Sequence, residues 1–289
     1  MLANKIQKVD KLLKNYLTPN SEYEEKIYEA MKYSIFAGGK RIRPILMIEA
    51  YNVLNNYEKA VEPFAVAIEM IHTYSLIHDD LPAMDDDDYR RGKPTNHKVF
   101  GEGFAILSGD ALLNKAYEVL IENILRTMKQ EYIEAASVIS KAAGVMGMIG
   151  GQSIDLFFEN KEITINKLKE MHDKKTGALI KASLISGAII GKASKDDIAR
   201  IGLYGELIGR AFQITDDILD VKGTSEKMGK TIGKDLKNKK STYVTYYGLE
   251  KSIELAQKTA ERAKEIISVY GDKSKLFVEL ADYIMNRDS

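Results

Sequence analysis

Apolar residues recur at helical spacing along almost the whole chain, and this regularity limits the fold more than any other feature of the sequence. Leu2, Ile6, Val9, Leu13, Tyr16 and Leu17 form a stripe that Pro19-Asn20 ends. Ser21 with Glu24 reads as a capping box opening the next helix, because hydroxyl and carboxylate can satisfy each other's orphan amides. Gly38-Gly39 breaks that helix, and Pro44 can open another. Long apolar-rich stretches follow at 58–80, 104–127, 130–149, 164–190, 195–221, 242–269 and 273–286, and Ser194 with Asp197 repeats the capping signature. Alternating strand patterns bounded by hairpin turns are nearly absent. The expected class is all-α. The 289 residues can bury a sizeable core, and no Pro/Gly/Ser-rich linker or short repeat divides them, so residues 1–289 are read as one domain. The two longest irregular segments, 81–103 and 222–240, are dense in charge, and loops of that length in a helical domain usually carry function.

Bulk charge removes several functional classes. Lys+Arg and Asp+Glu both number 42, so the formal net charge is zero. A nucleic-acid binder or a protein held on an anionic membrane needs a basic excess, and neither is expected. With no cysteine there can be no disulfide, thiolate metal site or cysteine nucleophile, which suits a reducing compartment. MLANKIQKVD lacks the apolar core of a signal peptide. Gly177 to Gly191 is apolar but interrupted by Lys181, and too short for a span of about 20 apolar residues. A cytoplasmic protein without stable membrane insertion is expected.

Two aspartate clusters carry the chemistry. The first runs His78-Asp79-Asp80-Leu81-Pro82-Ala83-Met84-Asp85-Asp86-Asp87-Asp88, with six carboxylates in ten residues that repel one another unless a cation neutralises them. A solvated acidic loop would explain this run by itself. In the second cluster, Gln213, Asp216, Asp217 and Asp220 are spaced by three, four and seven residues from Gln213 and make one polar stripe of a helix. Apolar Phe212, Ile214, Ile218 and Leu219 imply that much of this helix is buried, where three carboxylates are costly without counter-charge. Pairing to lysines across a helix interface is the plain alternative. Oxygen-only ligands favour a hard divalent ion, and magnesium characteristically combines one or two carboxylates with substrate phosphates. Basic groups flank both clusters: Lys40, Arg41 and Arg43 beside the glycine pair, Arg90-Arg91 after the first cluster, and Lys230, Lys234, Lys237, Lys239 and Lys240 after the second. Arginine forks grip phosphate oxygens bidentately and lysine acts as a point charge. Together they describe a site for two diphosphates around magnesium.

In this order the motifs resemble the trans-prenyl diphosphate synthases, in particular the bacterial farnesyl and plant-like geranylgeranyl group, over essentially the whole chain. The match lies in GGKRIRP (38–44), SLIHDDLPAMDDDDYRRGKP (75–94), GMIGGQSID (147–155), Lys175-Thr176-Gly177, FQITDDILD (212–220) and GKTIGKDLKNKKST (229–242). The resemblance implies a helical bundle of the isoprenoid synthase type with a central active-site cavity, about three magnesium ions with substrate bound, and a homodimer. It assigns magnesium to Asp79, Asp85 and Asp216, with Asp80, Asp217 and Asp220 assisting. Asp79-Asp80-x4-Asp85 is two residues longer than the family's usual DDxxD, and on a regular helix Asp79 would align with Asp86 instead. Pro82 and the insertion are therefore expected to distort the helix.

The resemblance also places isopentenyl diphosphate on Lys40, Arg43, His72 and Arg91. Arg90, Lys175, Lys230 and Lys240 would grip the allylic diphosphate, with Thr176 and Gln213 beside the allylic carbon and the 222–240 loop closing over the site. His72 precedes Asp79 by two helical turns on the same face, although a satisfied core histidine has the same spacing. The implied reaction ionises the allylic C–O bond, lets the isopentenyl double bond attack the cation, and releases a proton. Catalysis would centre on Asp79, Asp216, Lys175, Thr176 and Gln213. A terpene synthase shares the metal-triggered step but usually lacks the second diphosphate site that Lys40 and Arg43 supply. An inactive partner subunit tends to lose aspartates that are all present here. Tyr74 and Ser75, five and four residues before Asp79, would floor the tunnel for the growing chain. The bulky Tyr74 resembles farnesyl-making members, and a geranylgeranyl synthase is the alternative.

Overall fold

A computed structural model describes residues 2–19, 21–54, 58–222 and 241–286, and those residues are overwhelmingly helical. The first helices are α1 (Leu2–Tyr16), α2 (Glu25–Ile35), α3 (Ile42–Asn52) and α4 (Glu62–Asp79). A two-residue antiparallel ladder, β1 (Tyr89–Arg90) with β2 (Lys93–Pro94), and the short α5 (Asn96–Phe100) lead into α6 (Glu102–Thr127). The chain continues through α7 (Gln130–Ala143), α8 (Met148–Phe157), α9 (Ile165–His172), α10 (Ala178–Ile190) and α11 (Lys195–Lys222). Beyond 240 it forms α12 (Tyr243–Tyr247), α13 (Leu249–Ile267) and α14 (Lys275–Asn286).

Hydrophobicity decides which helices lie inside. Leu179, Ile180, Leu184, Ala188 and Ile190 are all buried on α10, so this helix is apolar on several faces and packs against α3, α7 and α11. α4 is likewise buried along most of its length and packs chiefly against α6; Pro63 sits in its first turn, where a missing amide costs nothing. One core cluster gathers around α4 from α1, α2, α6 and α7; a second joins α3, α10, α11, α13 and α14. Lys175 and Thr176, in the turn between α9 and α10, lie against α8 and against α11, whose C-terminal part carries Gln213, Asp216, Asp217 and Asp220.

The expected all-α class is found, with local differences. The predicted 130–149 helix stops at Ala143, because Gly144 and Gly147 form a turn closed by Gly147 N–H donating to Gly144 C=O at 2.9 Å. Gln130–Phe157 is the one described stretch long and apolar enough to cross a bilayer, but this turn divides it into two short helices. The predicted 164–190 helix is interrupted by a five-residue π turn, Asp173–Gly177. The 242–269 stretch breaks at Gly248. Ser21 makes no side-chain cap and instead precedes a 3-10 turn, while Ser194 Oγ accepts the Asp197 N–H at 3.1 Å and donates to the Asp197 carboxylate at 2.6 Å. α3 starts at Ile42, two residues ahead of Pro44.

Candidate active site

The first aspartate cluster solves its spacing by leaving the helix. α4 ends at Asp79, and Asp85 N–H donates to Asp79 C=O at 2.9 Å while Asp87 N–H reaches Asp80 C=O at 3.3 Å. The two extra residues are thus taken up in a tight loop, with Asp86 at φ +47°, that returns Asp85 beside Asp79. The expected distortion is a helix end rather than a bend within a helix. Burial pushes the Asp79 carboxyl up to about 6, with Asp85 and Asp80 adding repulsion and Lys175 opposing it. Asp80 is nearly fully buried and paired with Arg90, whose Nε lies 2.7 and 2.8 Å from its two oxygens and whose Nη2 lies 2.5 Å from Oδ1. Of the aspartate pair, Asp80 is therefore turned to protein and Asp79 to the cleft charges.

The π turn carries Lys175 and Thr176. Such turns add a residue to a helical register and recur at functional sites. Lys175 Nζ lies 2.7 Å from Asp155 on α8. Burial works against the Lys175 charge, yet Asp155, Asp79 and Asp85 outweigh it and raise its pKa. Gly151 makes this approach possible: a Cβ there would lie 2.2 Å from the Lys175 backbone nitrogen. Thr176 Oγ1 donates to Gln213 Oε1 at 3.0 Å, and Gln213 Nε2 reaches Asp217 Oδ1 at 3.3 Å. Asp217 is buried and its other oxygen accepts the Tyr243 N–H at 2.7 Å, tying α11 to the start of α12. The second cluster is thereby joined to the π turn, and through Lys175 to Asp79.

The basic groups gather on the other side. Arg43 is pulled down to about 10 by burial, with Glu69 opposing, Arg91 reinforcing and Asp216 opposing. Its buried Nε has no protein hydrogen-bond partner, an orphaned donor of the kind an anion satisfies. His72 is held well below the usual imidazole range by burial and by Arg43, Arg91, Arg90 and Arg41, so it is neutral at pH 7. Arg91, itself at φ +55°, donates through Nη1 to Gly38 C=O. Gly39 (φ +121°) leaves room for that guanidinium, which a Cβ would meet at 2.6 Å. Lys40 lies over the Tyr283 ring of α14 at 5.0 Å. Arg43, His72 and Arg91 thus converge as expected, with Lys40 at the edge towards α14. Lys230 and Lys240, and the predicted closure of the 222–240 loop, fall in residues 223–240, outside the described residues.

Sequence reading missed Asp155, although it lies within the GMIGGQSID motif; a carboxylate following a glycine pair was the available signal. It also missed buried Glu69, the counter-charge beneath the arginines. Nothing local pairs Lys175 with a residue twenty positions earlier. Tyr74 is buried, its ring edge-on to His78 at 5.7 Å, and its hydroxyl has no protein partner. Ser75 turns its hydroxyl back to His72 C=O at 2.8 Å.

The donor chemistry fits magnesium. The loop brings Asp79 and Asp85 together as hard oxygen donors, and their mutual repulsion is of the kind a divalent cation relieves. Among the described residues no group of three or more acidic or imidazole side chains is placed to hold a metal ion by itself.

Comparison with known proteins gives a consistent result. The family described as polyprenyl synthetase matches residues 24–283. Farnesyl diphosphate synthase of Bacillus subtilis (strain 168) is 41% identical over 288 residues, covering 99% of this chain and 97% of that protein. Geranylgeranyl diphosphate synthase of Cyanophora paradoxa is 46% identical over 264 residues, covering 91% and 88%. Among solved structures, a geranyltransferase from Helicobacter pylori complexed with magnesium and isoprenyl diphosphate aligns with a TM-score of 0.86 at 31% identity, covering 99% and 95% of the two chains.

Proposed function

The chain belongs to the polyprenyl synthetase family as a short-chain trans-prenyl diphosphate synthase, and from that premise we propose that its main product is farnesyl diphosphate. Tyr74 carries this reading. It is a bulky, buried ring on α4, about 7.5 Å of helix rise before Asp79, where it stops a chain growing away from the reacting carbon. Isopentenyl diphosphate is held by Lys40, Arg43, Arg91 and neutral His72, which can donate one N–H or accept a bond without competing for charge. The allylic diphosphate lies between Asp79, Asp85 and Asp216, gripped by Lys175, Arg90, Lys230 and Lys240; Asp80 and Asp217 fix the neighbouring Arg90 and Gln213, and Asp80, Asp217 and Asp220 would assist in holding magnesium. Magnesium, which Asp79, Asp85 and Asp216 would hold, would neutralise the allylic diphosphate and favour its departure. Lys175 adds a fixed positive charge on the leaving side, held in place by Asp155. The oxygens of Thr176 and Gln213 face the allylic carbon and stabilise positive charge on it. The isopentenyl double bond attacks that carbon, and the adduct loses a proton, for which the departed diphosphate is a plausible acceptor, to give a chain five carbons longer.

The same reading takes residues 1–289 as one cytoplasmic domain working as a homodimer. Support for the dimer comes from α6 and its C-cap Met128, which leave Ile106, Leu107, Ile121, Leu125 and Met128 exposed, large apolar side chains of the kind a partner surface covers. The experiment is incubation of the protein and magnesium with labelled isopentenyl diphosphate and dimethylallyl, geranyl or farnesyl diphosphate, followed by sizing of the chains. Fifteen-carbon product supports the proposal. Mostly twenty-carbon product would move the protein to the geranylgeranyl type, a name several of its relatives bear.

A further inference from the structure

Arg41 stands among the cations that flank the glycine pair, yet its side chain is 1% exposed and faces away from solvent. Its Nε lies 2.8 Å from Asp10 on α1, its Nη1 lies 2.9 Å from Glu69 on α4, and its Nη2 donates to Ile35 C=O at the end of α2 at 2.5 Å. Three helices from separate parts of the chain are therefore tied to one guanidinium. Its backbone is left-handed, φ +49° and ψ +34°, a conformation a non-glycine residue adopts only when its surroundings over-determine it. Arg41 C=O accepts the Ile45 N–H at 3.1 Å and so fixes the first turn of α3, where Arg43 sits. Lys40 precedes it directly.

We infer that Arg41 is a positioning residue: its grip on Asp10, Glu69 and Ile35 fixes the turn that aims Lys40 and Arg43 at the homoallylic diphosphate. The inference rests on the proposed assignment of that diphosphate to Lys40 and Arg43. Glu69 has a double task, since it pairs with Arg41 and also supports the charges of Arg43 and Arg91. α1 is part of the device through Asp10, although it lies outside the motifs and ahead of the family-matched segment that begins at residue 24. The geometry depends on the fork. A lysine at this position could neutralise Glu69, but one ammonium cannot reach a carboxylate, a second carboxylate and a carbonyl on three helices in the same planar arrangement.

The test compares Arg41→Lys, Arg41→Gln and Asp10→Asn with the wild-type protein. Arg41→Gln leaves Glu69 buried without its partner and is expected to lower the melting temperature. Arg41→Lys and Asp10→Asn keep Glu69 paired, so they hold the fold and isolate positioning. Both are expected to raise KM for isopentenyl diphosphate by roughly tenfold, with kcat and the allylic KM within about twofold of wild type. Hydrogen exchange at the amides of residues 36–43 is expected to quicken in both. Restoration of wild-type isopentenyl KM and exchange by Arg41→Lys would leave only charge balance and overturn the inference, as would equal rises in both KM values. The substrate assignment has a separate readout: if Arg43→Ala leaves isopentenyl KM unchanged while exchange at 36–43 quickens in the Arg41 variant, the turn is positioned as inferred but serves another ligand.

Discussion

Replacing Asp79 with asparagine should stabilise the metal-free protein while abolishing its turnover. The Asp79 carboxyl is raised from its ordinary 3.8 to about 6, first by burial and then by Asp85 and Asp80, against the pull of Lys175. The folded protein therefore holds this proton more tightly than the unfolded chain does. The ionised form costs stability: nothing well below the unfolded pKa of about 4, then increasingly, and fully above about 6. A difference of about 2 units is worth about 3 kcal/mol, which in a chain of this size shifts the melting temperature by roughly 6–12 °C. Thermal unfolding of wild type and Asp79→Asn, in chelator from pH 4.5 to 8, reads this directly. The variant should melt higher at pH 7.5, and its advantage should shrink as the pH falls towards 4. Magnesium with diphosphate should then narrow the gap by stabilising the wild type alone. An Asp79→Asn protein that melts no higher at pH 7.5, or whose advantage is the same at every pH, would refute the electrostatic account.

Arg43→Ala should raise KM for isopentenyl diphosphate by about 10- to 100-fold with a smaller effect on the allylic KM, since a charged hydrogen bond is worth about 1.5–3 kcal/mol; initial rates with each substrate varied in turn decide it. Gly151→Ala should cost about 1–3 kcal/mol of stability and also displace Lys175, because the added methyl meets backbone rather than a movable side chain; denaturant unfolding and kcat should fall together. Tyr74→Ala should shift products to twenty carbons or longer, seen by sizing labelled chains, and unchanged product length in a folded variant would place the floor elsewhere.

Much of this was legible in the sequence because helices and motifs are local. A period of 3.6 residues placed α4, α6 and α11 to within a few residues, and the spacing of Gln213, Asp216, Asp217 and Asp220 put them on one stripe. What the sequence could not give was the partner each charge meets. Arg41 and Arg43 look alike two positions apart, yet one is a buried tie between helices and the other has an orphaned donor. Asp79 and Asp80 are adjacent, yet Arg90 takes Asp80 and leaves Asp79 to repel Asp85. The π turn was hidden for another reason: 164–190 carries a helical pattern throughout, and one added residue within it leaves the average period nearly unchanged.

The two sides of the proposed site consequently differ in what the protein has already provided. Around Arg43, where we propose that isopentenyl diphosphate binds, the arginines are balanced from below by Glu69, and the remaining imbalance is positive: Arg91 weakens the Arg43 charge, and His72 is kept neutral by burial and by its cationic neighbours. An anion is the missing group there. Around Lys175, on the side proposed for the allylic diphosphate, the imbalance is negative, since Lys175 is shared among Asp155, Asp79 and Asp85 and cannot neutralise them all. A second anion is repelled unless cations arrive with it. Tethering Lys175 to Asp155 makes the difference sharper, because it directs part of the lysine's charge to a structural partner and leaves the aspartates to a metal. Under the proposed assignment, the diphosphate that leaves needs cations that arrive with it in addition to Lys175, whereas the diphosphate that stays meets guanidinium groups already in place.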